Sequence, residues 1–142
     1  MFSAILVPVD PSDASTWRRP LATATGLARQ SGATLYVLSV VPPMESPLVA
    51  GMLPGNHEQQ MVARAREELE GLIAEQVPDD VRAEPRVASG RVFQQILRSA
   101  GELGCELIVI GRGGSQRGVH LAGSNAERVV RGAQIPVMVI GD

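Results

Sequence analysis

The sequence contains no lysine, and all 13 of its basic residues are arginine. This absence excludes the phosphate-binding loop G-x4-G-K-[ST], which needs a lysine for the β- and γ-phosphates. It also excludes any enzyme that forms a Schiff base through a lysine amine. A receiver-like phosphorylation domain is excluded as well, because it needs a lysine after its last strand and an aspartate at the end of its third.

Aromatic residues, cysteine, excess charge and long apolar runs are also scarce. Four aromatic residues and a net charge of −2 leave little with which to bind nucleic acid or an anionic membrane surface. The single cysteine, Cys105, has no partner for an internal disulfide, which suits a reducing cytoplasm. The apolar run at residues 4–9 is too short for a signal peptide or a membrane span. We therefore expect one cytoplasmic domain over residues 1–142.

Short apolar runs alternate along the chain with segments of helical periodicity. Runs at residues 4–9, 33–41, 81–88, 107–110 and 137–140 are typical of strands buried on both faces of a parallel sheet. Four helices are predicted between them, with Ser12 as a candidate cap of the first and Asn56 of the second. Residues 42–55 lack a clear period and are predicted to form a long surface loop. The pattern predicts a doubly wound α/β fold with five parallel strands.

The most informative segment is the glycine-rich stretch that follows the fourth apolar run, I-G-R-G-G-S-Q-R-G-V-H-L-A-G-S at residues 110–124. Glycine permits close backbone approach to a ligand, and the amides at a helix N-terminus attract anions. Strand, glycine-rich loop and helix together predict a phosphate-binding site. A surface loop closed by a capped helix is the alternative that these residues alone leave open.

This stretch resembles the G-x2-G-x9-G-[S/T] motif of the universal stress protein family. Gly111 and Gly114 match its first two glycines, and Gly123 with Ser124 matches its end. The interval from Gly114 to Gly123 holds eight residues, one fewer than the family pattern. The V-D-P-S-D-A-S block at residues 9–15 and the G-S-N-A-E-R-V-V-R block at residues 123–131 also resemble family sequences, so the likeness covers nearly the whole chain.

The resemblance implies a Rossmann-like fold with strand order 3-2-1-4-5 and a crevice between strands one and four. It further implies a homodimer, paired through the last strand at residues 137–140, that regulates stress tolerance. The implied ligand is ATP or AMP, with any Mg²⁺ carried by the nucleotide. The predicted nucleotide-binding residues are Pro8, Val9, Asp10, Val40, Gly111, Arg112, Gly113, Gly114, Gly123, Ser124 and Asn125.

Two further functions remain open at this level. The shortened interval is compatible with a dimeric interaction module of the same family that does not bind nucleotide. A slow ATP hydrolase is the weaker alternative, because no catalytic base can be assigned; His120 has no suitable partner at useful spacing. We therefore predict no catalytic residue, and the spacing of histidine and cysteine predicts no metal site.

Overall fold

The structure is a computed structural model, and it describes residues 2–43, 47–53, 55–112 and 124–141. Over these residues strands and helices alternate along the chain. The strands are β1 (Ala4–Pro8), β2 (Thr34–Val41), β3 (Ala83–Ser89), β4 (Leu107–Gly111) and β5 (Val137–Ile140). The helices are α1 (Ala14–Ser31), α2 (Pro47–Met52), α3 (His57–Gln76), α4 (Val92–Glu102) and α5 (Asn125–Gly132).

The strands form one parallel sheet in the order β3-β2-β1-β4-β5, which confirms the predicted fold class. Pro85 lies in β3, at an edge of this sheet. An edge strand tolerates proline because one of its two sides has no neighbour that needs a backbone N–H. The strand order reverses between β1 and β4, so the crevice expected of a doubly wound sheet opens at their carboxyl ends.

The core consists of two layers, one on each face of the sheet. On one face, Leu21 and Ala24 of α1 and Leu69 of α3 pack against alternate residues of β1, β2 and β4. On the other face, Ile96 of α4 and Val129 of α5 pack against the intervening residues of the same strands. Burial on both faces explains why the central strands read as continuous apolar runs.

The segment predicted as a loop at residues 42–55 contains a helix, α2, so the prediction of four helices was incomplete. Pro47 begins α2, where its missing N–H breaks no helical hydrogen bond. Asn56 is at the N-cap of α3, as predicted, but its side chain makes no capping hydrogen bond. The other four helices pack on the sheet as expected, and none of the helices in the described residues is long and apolar enough to cross a bilayer.

Candidate functional site

Strand β1 pairs unequally with its two neighbours, and Pro8 is the reason. Five residue pairs join β1 to β2, ending at Pro8↔Leu38, whereas two join β1 to β4, ending at Leu6↔Ile108. The Ala4 carbonyl accepts a hydrogen bond from the N–H of Glu106, next to β4, so alternate residues of β1, including Pro8, face β4. Pro8 has no N–H to continue that ladder. The two strands therefore separate at Pro8.

Val40 lies just beyond the end of the ladder between β1 and β2. The last hydrogen bond of that ladder runs from the N–H of Val9 to the carbonyl of Leu38, at 2.8 Å. The backbone N–H and C=O groups of Val40 point toward β1, as those of Leu38 do, because these groups point to alternate sides along a strand. No hydrogen bond within the described part of the chain joins Val40 to Val9 or Asp10. One backbone donor and one acceptor of Val40 thus face the space beyond β1.

Asp10 turns away from the sheet immediately after β1. Its Oδ1 accepts hydrogen bonds from the N–H and hydroxyl of Ser12, at 3.0 and 2.7 Å. Its own N–H donates to Thr16 Oγ1 at 2.9 Å. The prediction that Ser12 caps α1 was wrong: Asp13 is the cap and accepts from the N–H of Ser15 at 3.1 Å. The Ser12 hydroxyl instead donates to Asp10 Oδ1.

Gly111 ends β4 against the first turns of α1. A β-carbon at this position would lie 3.2 Å from the carbonyl oxygen of Thr16 and 3.3 Å from Cγ of Pro20. The backbone of Gly111 is not in the left-handed region. The close approach of α1 is therefore sufficient reason for glycine here, whether or not a ligand also binds.

Two arginine side chains meet at the carboxyl end of β5. Arg112 donates its backbone N–H to the carbonyl of Ile140 at 2.9 Å, and its guanidinium lies near Gly141. Arg19 of α1 donates from Nη1 to the carbonyl of Gly141 at 2.8 Å. Arg112 was predicted as a site residue, but Arg19 was missed. No local sequence signal marks Arg19, because its contact lies 122 positions along the chain.

Helix α5 begins with a serine cap. Ser124 is its cap, and the Ser124 hydroxyl accepts from the N–H of Glu127 at 3.3 Å. Asn125 is the first helical residue and is exposed, as is Ser124. Ala126 and Val129 are buried and anchor the helix on the sheet. The start of α5 is thereby fixed, with its first backbone N–H groups available to an anion.

The predicted site residues therefore divide into three groups. Gly113, Gly114 and Gly123 lie outside the described residues. Ser124 and Asn125 begin α5. The others lie at or just beyond the carboxyl ends of β1, β2 and β4. They are Pro8, Val9, Asp10, Val40, Gly111 and Arg112.

Groups with shifted pKa values lie at the opposite end of the strands, the amino end. Burial raises the pKa of the Cys105 thiol to about 11, and the neighbouring Glu106 adds to the shift. Hydrogen bonds from Ser3 lower the pKa of Glu106 itself. Both residues precede β4, at its amino end. Within the described ranges, no group of three or more His, Cys, Asp or Glu residues is arranged to hold a metal ion.

This arrangement defines a class of protein, a doubly wound α/β domain whose candidate ligand crevice opens beside the central strand. A family model described as the universal stress protein family matches residues 1–141, and the chain belongs to that family. It is 30% identical over 142 residues to universal stress protein G of Shigella flexneri, with 99% of each chain covered.

Solved structures show the same fold. The universal stress protein UspA from Lactobacillus plantarum has a TM-score of 0.72 and 26% identity, with 97% of each chain covered. The hypothetical protein MJ0577 has a TM-score of 0.81 and 21% identity, covering 100% of this chain and 97% of its own. A universal stress protein from Archaeoglobus fulgidus was solved in complex with dAMP; its TM-score is 0.60 and its identity 24%, with 96% of each chain covered.

Proposed function

We propose that this protein binds an adenine nucleotide, ATP or AMP, in the crevice between β1 and β4 and acts in the cytoplasm as a dimeric regulator of stress tolerance. The observation that carries the nucleotide proposal is the backbone of Val40, which has no hydrogen-bond partner on the β1 side among the described residues. An adenine edge presents one donor and one acceptor, which match the carbonyl and N–H of Val40. The half-buried Val40 side chain supplies an apolar wall.

Asp10 supplies the next recognition element of the proposed site. Oδ1 of Asp10 accepts two hydrogen bonds from Ser12, whereas Oδ2 of Asp10 has no hydrogen-bond partner among the described residues. A carboxylate oxygen accepts only, so it suits a ligand that donates a hydrogen, such as the hydroxyl of a ribose. We assign Asp10 to the nucleoside rather than to a metal.

The phosphates would bind at the start of α5. Ser124 and Asn125 are exposed there, and the helix dipole favours negative charge. Arg112 directly follows β4 and would neutralise phosphate charge. We include Gly113, Gly114 and Gly123 in this proposal on the motif alone. Any Mg²⁺ would arrive with the nucleotide and be held mainly by its phosphates.

We infer that the site holds a nucleotide rather than hydrolysing it. Hydrolysis needs a group that positions the attacking water near the γ-phosphate. The proposal assigns Asp10 to the other end of the ligand. The relative solved with dAMP offers only general support, since its likeness to this chain is a likeness of fold.

Titration of the purified protein with ATP and with AMP tests the proposal. We expect saturable binding by the wild type and at least tenfold weaker binding by Asp10→Asn, which replaces the free acceptor with a donor. Asp79→Asn is the matched control, because Asp79 is exposed in the turn before β3, at the amino ends of the strands and away from the proposed site. Absence of wild-type binding would refute the proposal and favour the nucleotide-free interaction module, which the shortened glycine interval supports.

The dimer is proposed from the exposed edge of the sheet. β5 is an edge strand, and Met138 and Val139 on it are 36% and 42% exposed. Val130 of α5 is 50% exposed. An edge strand with exposed apolar side chains is a surface on which a second copy can pair. The reducing environment that suits the single buried thiol of Cys105 supports the cytoplasmic location.

Light scattering after size exclusion tests this interface. The wild type is expected to have the mass of a dimer, and Val139→Glu the mass of a monomer, because a carboxylate would be buried at the edge. Leu48→Glu is the control, since Leu48 is 76% exposed on α2. A dimeric Val139→Glu variant would place the interface elsewhere.

A further inference from the structure

The hydroxyl of Thr16 lies at the centre of the turn that follows β1. Its Oγ1 accepts the N–H of Asp10 at 2.9 Å and lies 2.8 Å from the carbonyl oxygen of Asp13 and 3.1 Å from that of Asp10. One hydroxyl donates a single hydrogen, and the Asp13 carbonyl is the nearer acceptor. Thr16 therefore ties the residue that leaves β1 to the first turn of α1.

The N–H of Asp10 is the donor whose capture matters most. If β1 continued, Asp10 would face β4, because Ala4, Leu6 and Pro8 face that strand. Pro8 has no N–H, and Thr16 takes the N–H of the next residue on that side. At two successive positions on this side of β1, Pro8 and Asp10, no N–H is therefore available to β4, which keeps the crevice open.

The carboxylate of Asp10 is fixed by the same turn. The N–H of Asp13 donates to the Asp10 carbonyl at 2.9 Å, while Ser12 holds Oδ1. With its backbone donor, its carbonyl and Oδ1 all engaged, Asp10 is left with Oδ2 as its available acceptor among the described residues. The position of that oxygen depends on the backbone that Thr16 holds.

We propose that Thr16 is a positioning residue of the nucleotide site, whose hydroxyl captures the N–H of Asp10 and so directs Oδ2 of that residue toward a ligand that donates a hydrogen. The inference rests on the proposed nucleotide function. Thr16 itself does not contact the ligand and acts through Asp10. A serine at this position would serve as well, whereas an isosteric valine would not.

The test is an ATP titration of the full chain with three substitutions. Thr16→Val is expected to weaken binding about tenfold, and Thr16→Ser to stay within about threefold of the wild type. Thr23→Val is the control, because Thr23 is half-buried on the same helix. Loss of binding in Thr16→Ser as well, or unchanged binding in Thr16→Val, would overturn the proposal.

A double-mutant cycle separates positioning from a general structural role. If Thr16 acts through Asp10, adding Thr16→Val to Asp10→Asn should cost less than about twofold in affinity, although it costs about tenfold in the wild type. Full additivity of the two losses would show that Thr16 acts by another route and would overturn the inference.

Hydrogen exchange distinguishes failure of this inference from failure of the proposed function. Without ligand, the amide of Asp10 should exchange at least tenfold faster in Thr16→Val than in Thr16→Ser, because its acceptor is gone. Equal exchange rates would refute the capture of this amide. Faster exchange in a protein that binds no ATP would retain the capture and reject the nucleotide function alone.

Discussion

Replacement of Gly111 by alanine is the perturbation that probes the contact between β4 and α1 most directly. The added methyl would lie 3.2 Å from the Thr16 carbonyl oxygen and 3.3 Å from Cγ of Pro20. A carbonyl within a helix and a proline ring cannot rotate aside, so the helix must move by a few tenths of an ångström. Overpacking of this kind costs about 2 kcal/mol.

An opposing effect lowers the net cost of this substitution. Because Gly111 is outside the left-handed region, alanine can adopt its backbone conformation and reduces the entropy of the unfolded chain, which gains about 0.7 kcal/mol. The net loss is therefore about 1 kcal/mol. With about 2.1 cal/mol/K of unfolding entropy per residue over 142 residues, that loss lowers Tm by about 3 °C.

Gly26→Ala is the matched control for Gly111→Ala. Gly26 is exposed in α1, and its added methyl would meet nothing within 4 Å. Alanine there should stabilise the protein by about 0.5–1 kcal/mol, because glycine is a poor helix former. Urea unfolding at one protein concentration measures both variants. If Gly111→Ala were as stable as Gly26→Ala, the contact with α1 would not be the reason for glycine.

The remaining predictions concern three groups away from the crevice. The hydroxyl of Thr25 is buried without a hydrogen-bond partner in the described part of the chain. Thr25→Val should therefore raise the free energy of unfolding in urea by about 1 kcal/mol, whereas the control Thr23→Val should change it by less than about 0.5 kcal/mol. A Thr25→Val variant less stable than the wild type would contradict this. The pKa of Cys105 is raised to about 11, so little of its reactive thiolate forms at pH 8. Its reaction with a thiol reagent at pH 8 should therefore be at least tenfold slower in the folded protein than in urea. Equal rates would refute its burial. The pKa of Glu106 is lowered by hydrogen bonds from Ser3, so its contribution to stability is present above about pH 4.3 and is lost as the pH falls through the lowered value. Ser3→Ala removes the hydroxyl donor and keeps the backbone N–H that also donates to Glu106, so it should partly flatten the acid limb of stability against pH. An unchanged limb would remove the Ser3 hydroxyl as a cause.

The sequence determined the fold of this protein because its signals are local. Apolar runs specify strands buried on both faces, and Pro85 places β3 at an edge. Pro8 marks the end of the ladder with β4, since a missing N–H has the same consequence in any context. The cap of α5 at Ser124 is likewise local, because donor and acceptor lie three residues apart.

The tertiary structure alone decided how the crevice is held. The contact of Gly111 with α1, the hydrogen bond from Arg19 to Gly141 and the capture of the Asp10 amide by Thr16 depend on the approach of separate elements. Local patterns identify which groups are available, such as a hydroxyl at residue 16. They do not determine which of several nearby partners a group selects, because that choice depends on distances fixed only when helix and sheet pack together.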